Sequence, residues 1–152
     1  KMLEGKKAKA FCLLNQNEEN VCLKDFETRV VLYFYPRDDT PGCTIEANDF
    51  TSLVKEFKKQ KTQIIGVSKD TTKSHKKFYE KHDLNITLLS DPDFKVHKLF
   101  GAHGKKKFMG REYFGTIRST IIIDKDKKII KHFDKVSAKG HAQEVLEFIK
   151  HL

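Results

Sequence analysis

The chain has 152 residues, of which 38% are hydrophobic and 34% charged, and its formal net charge is +9 at pH 7. This length and balance predict a soluble globular protein with one domain, residues 1–152, and enough apolar side chains to bury a core. No apolar run approaches the roughly 20 residues that cross a bilayer, and three cysteines are too few for a disulfide-stapled scaffold.

A β-hairpin is predicted near the start of the chain. Residues 11–14 and 21–23 are apolar and flank a turn-prone polar segment at residues 15–20. The apolar run at residues 30–35 then predicts the first central strand. Between residues 44 and 59, apolar residues recur at intervals of three and four, which predicts one amphipathic helix.

Alternating elements continue through the middle of the chain. Residues 63–68 predict a second central strand, and a helix is predicted from residue 70 to about residue 82. Residues 86–89 predict a short strand. Asp91 or Asp93 is expected to cap the short helix that follows.

The C-terminal third is predicted to close the fold. Residues 101–115 are basic and punctuated by glycine, which predicts a long loop. Residues 119–124 and 129–133 predict a hairpin, and residues 142–149 predict an amphipathic helix. Together the elements predict an α/β, thioredoxin-like fold: a mixed central sheet flanked by helices, with an N-terminal β-hairpin.

Cys43 is the residue whose setting is most informative about chemistry. It follows Thr40, Pro41 and Gly42 at the point where a helical pattern begins. The free N–H groups and the dipole of a helix N-terminus favour a thiolate. A thiolate that attacks a peroxide also needs donors for the leaving oxygen and a means of aligning the substrate.

Candidates for each of these tasks lie close to Cys43 in the sequence. The backbone N–H groups of Gly42 and Cys43 are expected to face the substrate, and the Thr40 hydroxyl is expected to orient a peroxide oxygen. Pro36 and Pro41 lack an N–H group and stiffen the loop, which shields the thiolate from water. A guanidinium would stabilise both the thiolate and the leaving group, and the candidates are Arg37, Arg111 and Arg118.

Several stretches together resemble a known family. They are residues 31–36, 38–46, 65–68, 89–91, 98–101, 104–110 and 115–120. The sequence resembles the peroxiredoxins, and within them the bacterioferritin comigratory protein, or peroxiredoxin Q, subfamily. The resemblance covers nearly the whole chain, and its most specific part is the spacing of Pro36, Thr40 and Cys43 with a distant arginine before a strand.

The resemblance implies a thioredoxin fold and thiol-dependent reduction of hydrogen peroxide and organic hydroperoxides, with no metal and no bound organic cofactor. Cys43 is then the peroxidatic cysteine. Thr40 and Arg118 orient and activate the peroxide, and Pro36 shields the pocket. Glu46 matches a helix-borne glutamate that helps to hold the arginine.

The resolving thiol departs from the family pattern. The sulfenic acid formed on the peroxidatic cysteine must be resolved by a thiol, but the two positions where relatives carry it are Asn48 and Tyr79 here. We therefore predict a one-cysteine mechanism with an external thiol: thioredoxin, glutaredoxin or a small thiol. Cys12 and Cys22 are the remaining internal candidates. Both are expected to pack in or beside the N-terminal hairpin, and a reducing compartment would oppose a bond between them.

Two other functions are weighed against the peroxidase. A thiol–disulfide oxidoreductase would need a second cysteine beside Cys43, which is absent. A redox sensor that binds nucleic acid would need clustered positive charge, and residues 105–107 form the only tight cluster. We therefore expect no nucleic-acid or membrane partner. No metal site is expected either, because no histidine pair has convincing ligand spacing.

Asp38 and Asp39 are expected to face solvent or to pair with Arg37 or a lysine, because a carboxylate beside a thiolate would disfavour its charge. The sparse, odd set of cysteines indicates a reducing compartment. The cytoplasm is therefore expected, or an organelle if a targeting peptide has been removed. A monomer or a weak homodimer is expected.

Overall fold

The computed structural model describes residues 2–152. The strands are β1 (Cys12–Asn15), β2 (Asn20–Cys22), β3 (Arg29–Phe34), β4 (Thr62–Ser68), β5 (Thr87–Ser90), β6 (His103–Phe108), β7 (Arg111–Thr116), β8 (Ser119–Ile123) and β9 (Ile129–Phe133). The helices are α1 (Pro41–Ser52), α2 (Val54–Lys59), α3 (Thr72–Lys81), α4 (Lys95–Leu99) and α5 (His141–Lys150).

Seven strands form one mixed sheet in the order β2-β1-β5-β4-β3-β8-β9. Strands β3, β4 and β5 are parallel, and β1 and β8 join them antiparallel on either side. The α/β, thioredoxin-like fold predicted from the sequence is confirmed. Within residues 2–152, no helix is both long enough and apolar enough to cross a membrane.

The central strand β3 is buried on both faces, which explains its unbroken apolar run. Because side chains alternate across a strand, Val31 and Tyr33 join a core under α1, α2, α3 and α5. Leu32 and Phe34 point the other way, into a core closed by α4 and the N-terminal segment. The helices thus cover both faces of the sheet, as the alternating pattern predicts.

Two local predictions are wrong. The helix expected over residues 44–59 is interrupted at Leu53, which has φ −101° and ψ 4° and separates α1 from α2. Residues 101–115 do not form a long loop, because β6 and β7 pair along their whole length as a separate ribbon. Its turn is Met109–Gly110, where both residues have positive φ, 50° and 81°. This is the backbone of a tight two-residue hairpin turn.

The N-terminal hairpin is confirmed, but its cysteines are bonded to each other. Cys12 and Cys22 are directly opposite in the β1–β2 register. Their Cα atoms are 4.0 Å apart, and the two sulfurs form a disulfide. The expectation that a reducing environment would keep them apart is therefore not met. Cys43 is the one free cysteine among the described residues.

The topology gathers several loops at one edge of the sheet. The parallel strands β3, β4 and β5 all end there, and the loop after β3 leads directly into α1. Strand β8 begins at the same edge, because its first residue, Ser119, pairs with Phe34 at the end of β3. Arg118 is therefore carried to the loop that precedes Cys43, although 75 residues separate the two in sequence.

Gly66 in β4 has no room for a side chain. An added Cβ would lie 2.8 Å from Cζ of Tyr33, whose fully buried ring stacks on Phe50 with centroids 4.6 Å apart. We predict that Gly66→Ala lowers the free energy of unfolding by about 1–3 kcal/mol, as overpacking does. Urea denaturation measures this loss of unfolding free energy. In a Tyr33→Leu background the cost should fall below about 1 kcal/mol, and an equal cost in both backgrounds would contradict this account.

Candidate active site

Cys43 lies in the first turn of α1, with Thr40 as the N-cap and Pro41 as the first helical residue. Proline suits this position because its fixed φ is helical and its missing N–H would have no partner. The first turn leaves the N–H groups of Gly42 and Cys43 without a carbonyl of the same helix. The Cys43 side chain is 1% exposed and packs in the core that α1 shares with α5.

Arg118 joins the cysteine to a buried carboxylate. Its Nη2 donates a hydrogen bond to Cys43 Sγ at 3.2 Å, and its Nη1 donates to Glu46 Oε1 at 2.5 Å. Gly42 lies beside this contact, and a Cβ there would press on Arg118 Nη2 at 3.3 Å. The structure thus brings together four residues that the sequence pointed to: Cys43, Arg118, Glu46 and Gly42.

Glu46 is three residues after Cys43 in α1 and is fully buried. One of its oxygens accepts from Arg118, and the other, Oε2, has no hydrogen-bond partner within residues 2–152. Burial raises the pKa of Glu46 to about 7, although the Arg118 guanidinium acts to lower it. Burial also acts to lower the pKa of Arg118, but Glu46 and Cys43 outweigh it, so that pKa lies above its usual value.

Thr40 and Pro36 form the outer part of the site. The Thr40 hydroxyl donates to the carbonyl of Arg37 at 2.9 Å, which leaves its lone pairs free to accept from a substrate O–H. Pro36 is half-buried, and its carbonyl accepts from Nζ of Lys69 at 2.8 Å. Arg37 and Arg111 are exposed and neither is hydrogen-bonded to Cys43, so Arg118 is the arginine of the site.

Asp38 does not face solvent, which corrects the expectation from the sequence. It is 8% exposed and accepts hydrogen bonds from the hydroxyls of Tyr35 and Ser74, each at 2.7 Å. Its Oδ2 also lies 2.7 Å from His75 Nδ1, and its backbone N–H donates to Asp70. The carboxylate is turned into α3 and away from the thiol, so the loop before Cys43 is anchored to that helix.

Asp39 behaves as expected for a carboxylate that pairs with a lysine. Its side chain is ion-paired with Lys81 at 2.6 Å and accepts from His82 at 2.8 Å. The Lys81 hydrogen bond, followed by that of His82, lowers the pKa of Asp39.

Asp38, Asp70 and His75 place oxygen and nitrogen atoms within 4.8 Å of one another, in a group that could hold a metal ion. These atoms already bond within the group or to its neighbours. Asp70 Oδ2 accepts from Ser68, and His75 Nε2 lies 2.9 Å from the Leu89 carbonyl. These contacts make the three side chains part of a hydrogen-bond network that joins the loop after β3 to α3.

Lys106 belongs to the surroundings of the site, although the sequence placed it in a surface loop. It lies on the ribbon strand β6, and its side chain is partly buried. Burial, followed by the charge of Arg118, lowers its pKa, while Cys43 acts to raise it. The sequence of β6 has three consecutive lysines and no apolar–polar alternation, so no local pattern indicated a strand here.

Among residues 2–152, the other two cysteines are bonded to each other and not to Cys43. The positions where the family resemblance would place a resolving cysteine are the exposed Asn48 on α1 and the half-buried Tyr79 on α3. Cys12 and Cys22 belong to β1 and β2, and β1 is three strands away from β3 in the sheet. At about 4.8 Å per strand, β1 and β3 are about 14 Å apart within the sheet, and α1 follows β3 in the chain.

Comparisons with known proteins point to one family along nearly the whole chain. The AhpC/TSA family model matches residues 4–132. A putative peroxiredoxin Bcp of Helicobacter pylori is 48% identical over 148 residues, 97% of each chain. Peroxiredoxin Bcp of Bacillus subtilis is 44% identical over 147 residues, 96% of this chain and 94% of the relative.

Solved structures of the same family also superpose on this chain. The Xanthomonas campestris bacterioferritin comigratory protein, studied for its alkyl peroxide reduction activity, superposes with a TM-score of 0.88 at 34% identity. The match covers 93% of this chain and 90% of that one.

The raised pKa of Glu46 predicts a specific pH dependence of stability. In the folded protein the pKa is about 7, against an ordinary value of 4.5. The stability that its bound proton contributes is therefore complete below about pH 4.5 and is lost as pH rises to about 7. Across this window, the free energy of unfolding of Glu46→Gln should rise relative to wild type by about 3 kcal/mol.

Urea denaturation at intervals between pH 4.5 and pH 7.5 measures this difference. Glu56→Gln, which removes an exposed carboxylate on α2, is the control and should follow wild type. If the curves of Glu46→Gln and wild type run parallel, the carboxyl does not keep its proton in the folded state.

Proposed function

The chain belongs to the AhpC/TSA family of peroxiredoxins, in the bacterioferritin comigratory protein group, and we propose that Cys43 is its peroxidatic residue. The protein is a thiol-dependent peroxidase: it reduces hydroperoxides with electrons from a thioredoxin-type thiol reductant. One observation carries the assignment of Cys43, namely the hydrogen bond of 3.2 Å from Arg118 Nη2 to its sulfur. A guanidinium at that distance stabilises a thiolate.

The first step is attack of the Cys43 thiolate on one peroxide oxygen. A sulfur–oxygen bond forms and the O–O bond breaks, so the sulfur is oxidised by two electrons to a sulfenic acid. The other oxygen leaves as hydroxide or alkoxide and takes up a proton to become water or an alcohol. Arg118 and the N–H groups of the first turn of α1 stabilise the negative charge that grows on the leaving oxygen.

Alignment of the peroxide is assigned to Thr40. Its hydroxyl proton is committed to the Arg37 carbonyl, so the oxygen acts as an acceptor and holds the O–H of the peroxide. Pro36, half-buried beside the Lys69 ammonium, shields the thiolate from bulk water. Glu46 holds Arg118 in place by accepting a hydrogen bond from the other guanidinium nitrogen, Arg118 Nη1.

An external thiol completes the cycle. The sulfenic acid condenses with one thiol of the reductant, which forms a mixed disulfide and releases water, and a second thiol then restores Cys43. Support for this one-cysteine route comes from Asn48 and Tyr79, which stand where the family resemblance would place a second cysteine, and from the bond that engages Cys12 and Cys22 with each other. We infer that thioredoxin, glutaredoxin or a small thiol is the reductant and that the enzyme acts as a monomer or weak homodimer.

Hydrogen peroxide and alkyl hydroperoxides are the proposed substrates. The relative from Xanthomonas campestris reduces alkyl peroxides. In this chain the exposed side chain of Phe108 shares one face of the β6–β7 ribbon with Lys106, whose pKa responds to the charge of Cys43. We propose that an apolar substrate tail rests on this face.

Intact mass spectrometry with peptide mapping tests the assignment of Cys43. The protein is first reduced with dithiothreitol under denaturing conditions and refolded, and then mixed with one equivalent of hydrogen peroxide. We predict that one oxygen is added at Cys43, with no disulfide to Cys12 or Cys22, and that added thiol reverses it. Cys43→Ser should lose all peroxidase turnover, whereas Cys12→Ser should keep the rate of Cys43 oxidation.

Three results would overturn parts of this proposal. Peroxidase turnover by Cys43→Ser would refute the role of Cys43. A disulfide between Cys43 and Cys12 or Cys22 would replace the one-cysteine route by an internal one. Reduction of insulin by the wild-type protein, without peroxide turnover, would favour a thiol–disulfide oxidoreductase.

A further inference from the structure

The Cys12–Cys22 disulfide has a different exposure at each end. Cys12 is exposed, whereas Cys22 is 7% exposed and lies at the buried end of β2. On the β1 side, the ladder between β1 and β5 includes only Leu14 and Asn15. Cys12 therefore lies beyond the end of β5, which does not cover the side of Cys12 opposite β2. A thiolate from solution can therefore reach the sulfur of Cys12 more readily than that of Cys22.

A hydrogen-bond donor is placed at the other sulfur. Asn20 Nδ2 donates to Cys22 Sγ at 3.5 Å. In thiol–disulfide exchange, the sulfur that is not attacked leaves as a thiolate, and the reaction is faster when that thiolate is stabilised. The exposed cysteine and the hydrogen-bonded sulfur are thus the two ends of the same disulfide.

We propose that the Cys12–Cys22 pair is a second thiol–disulfide exchange centre, separate from Cys43, in which Cys12 is attacked and Cys22 leaves. The reductant is a dithiol. Its first thiolate attacks Cys12 Sγ, the S–S bond breaks, and Cys22 departs as a thiolate that takes up a proton. The second thiol of the reductant then displaces Cys12, so two electrons pass from the reductant to the hairpin and the reductant becomes a disulfide.

The hairpin can undergo this change without unfolding, because other contacts hold it to the sheet. Leu14 pairs with Ser90, and Asn15 pairs with Leu89. The side-chain oxygen of the buried Gln16 accepts from the backbone N–H of Leu88 at 3.1 Å. Asn15 Oδ1 accepts from the N–H groups of Asn17 and Glu19, which keeps the turn closed.

This centre would respond to the same class of thiol reductant that restores Cys43. It does not depend on the proposed role of Cys43, because the exchange needs only the hairpin sulfurs and a dithiol. It is therefore tested in a Cys43→Ser background, where the hairpin holds the only cysteines. A failed peroxidase assignment and a failed exchange centre then give separate results.

The first measurement is the reduction of the folded, oxidised Cys43→Ser protein by dithiothreitol, with alkylation and intact mass as the readout. We expect two thiols to appear at a rate proportional to the dithiothreitol concentration, while the far-ultraviolet circular dichroism stays unchanged. A disulfide that is reduced only after a denaturant is added would overturn the proposal.

The direction of exchange is measured with glutathione on the folded, oxidised Cys43→Ser protein, followed by alkylation of the freed thiol and peptide mapping. The mixed disulfide should form on Cys12 and the alkyl group on Cys22 in at least about tenfold excess over the reverse arrangement. Equal amounts of the two products, or an excess of glutathione on Cys22, would contradict the assignment of Cys12 as the attacked sulfur.

The role of the leaving group is tested with Asn20→Leu in the Cys43→Ser protein. This change removes the donor to Cys22 at similar side-chain volume and should slow reduction by dithiothreitol by about three- to tenfold, as loss of one hydrogen bond to a developing charge does. Asn17→Leu, in the turn of the same hairpin, is the control and should keep the rate within about twofold. No difference between the two variants would refute the role of Asn20.

Discussion

The Arg118 guanidinium, held between the Cys43 sulfur and the buried Glu46 carboxylate, is the interaction on which the site depends. A planar guanidinium can donate to two partners at once, and its geometry then fixes both. Here one partner is the sulfur that we propose to react, and the other is a carboxylate in the same helix. The fold must therefore place α1 and the start of β8 together, and the mixed sheet does so through the antiparallel pairing of β3 with β8.

The loop that carries Thr40 is held by contacts outside the reacting centre. Asp38 anchors it to α3 through Ser74 and His75, and Lys69 donates to the carbonyl of Pro36. Hydrogen bonds at Pro36 and Asp38 reduce the number of conformations that this short loop can adopt. A peroxide is thus met by a preorganised set of donors and acceptors, which is the arrangement that favours its transition state.

Sequence patterns predict those parts of the molecule that depend on local order. The apolar run of β3 and the helix start at Cys43 required only neighbouring residues to identify them. Arg118 was chosen over Arg37 and Arg111 because it precedes an apolar strand and matches the arginine of the family pattern. The structure places its guanidinium 3.2 Å from the Cys43 sulfur.

Features that depend on distant partners could not be predicted in the same way. One carboxylate oxygen of Asp38 is satisfied by Ser74 and His75, more than 30 residues away, and no local pattern shows this. The bond between Cys12 and Cys22 depends on the register of two short strands, in which a shift of one residue would separate the sulfurs. The β6–β7 ribbon was missed because its turn uses Met109 at positive φ, which is unusual for methionine.

The second-order rate constant for oxidation of Cys43 by hydrogen peroxide in Arg118→Ala is the most direct test of this account, measured by rapid mixing and compared with wild type. If the guanidinium stabilises both the thiolate and the leaving oxygen, the rate constant should fall by at least about 100-fold. Arg111→Ala, on the exposed end of the ribbon, should keep it within about twofold. A rate constant for Arg118→Ala equal to that of Arg111→Ala would contradict the central role of Arg118.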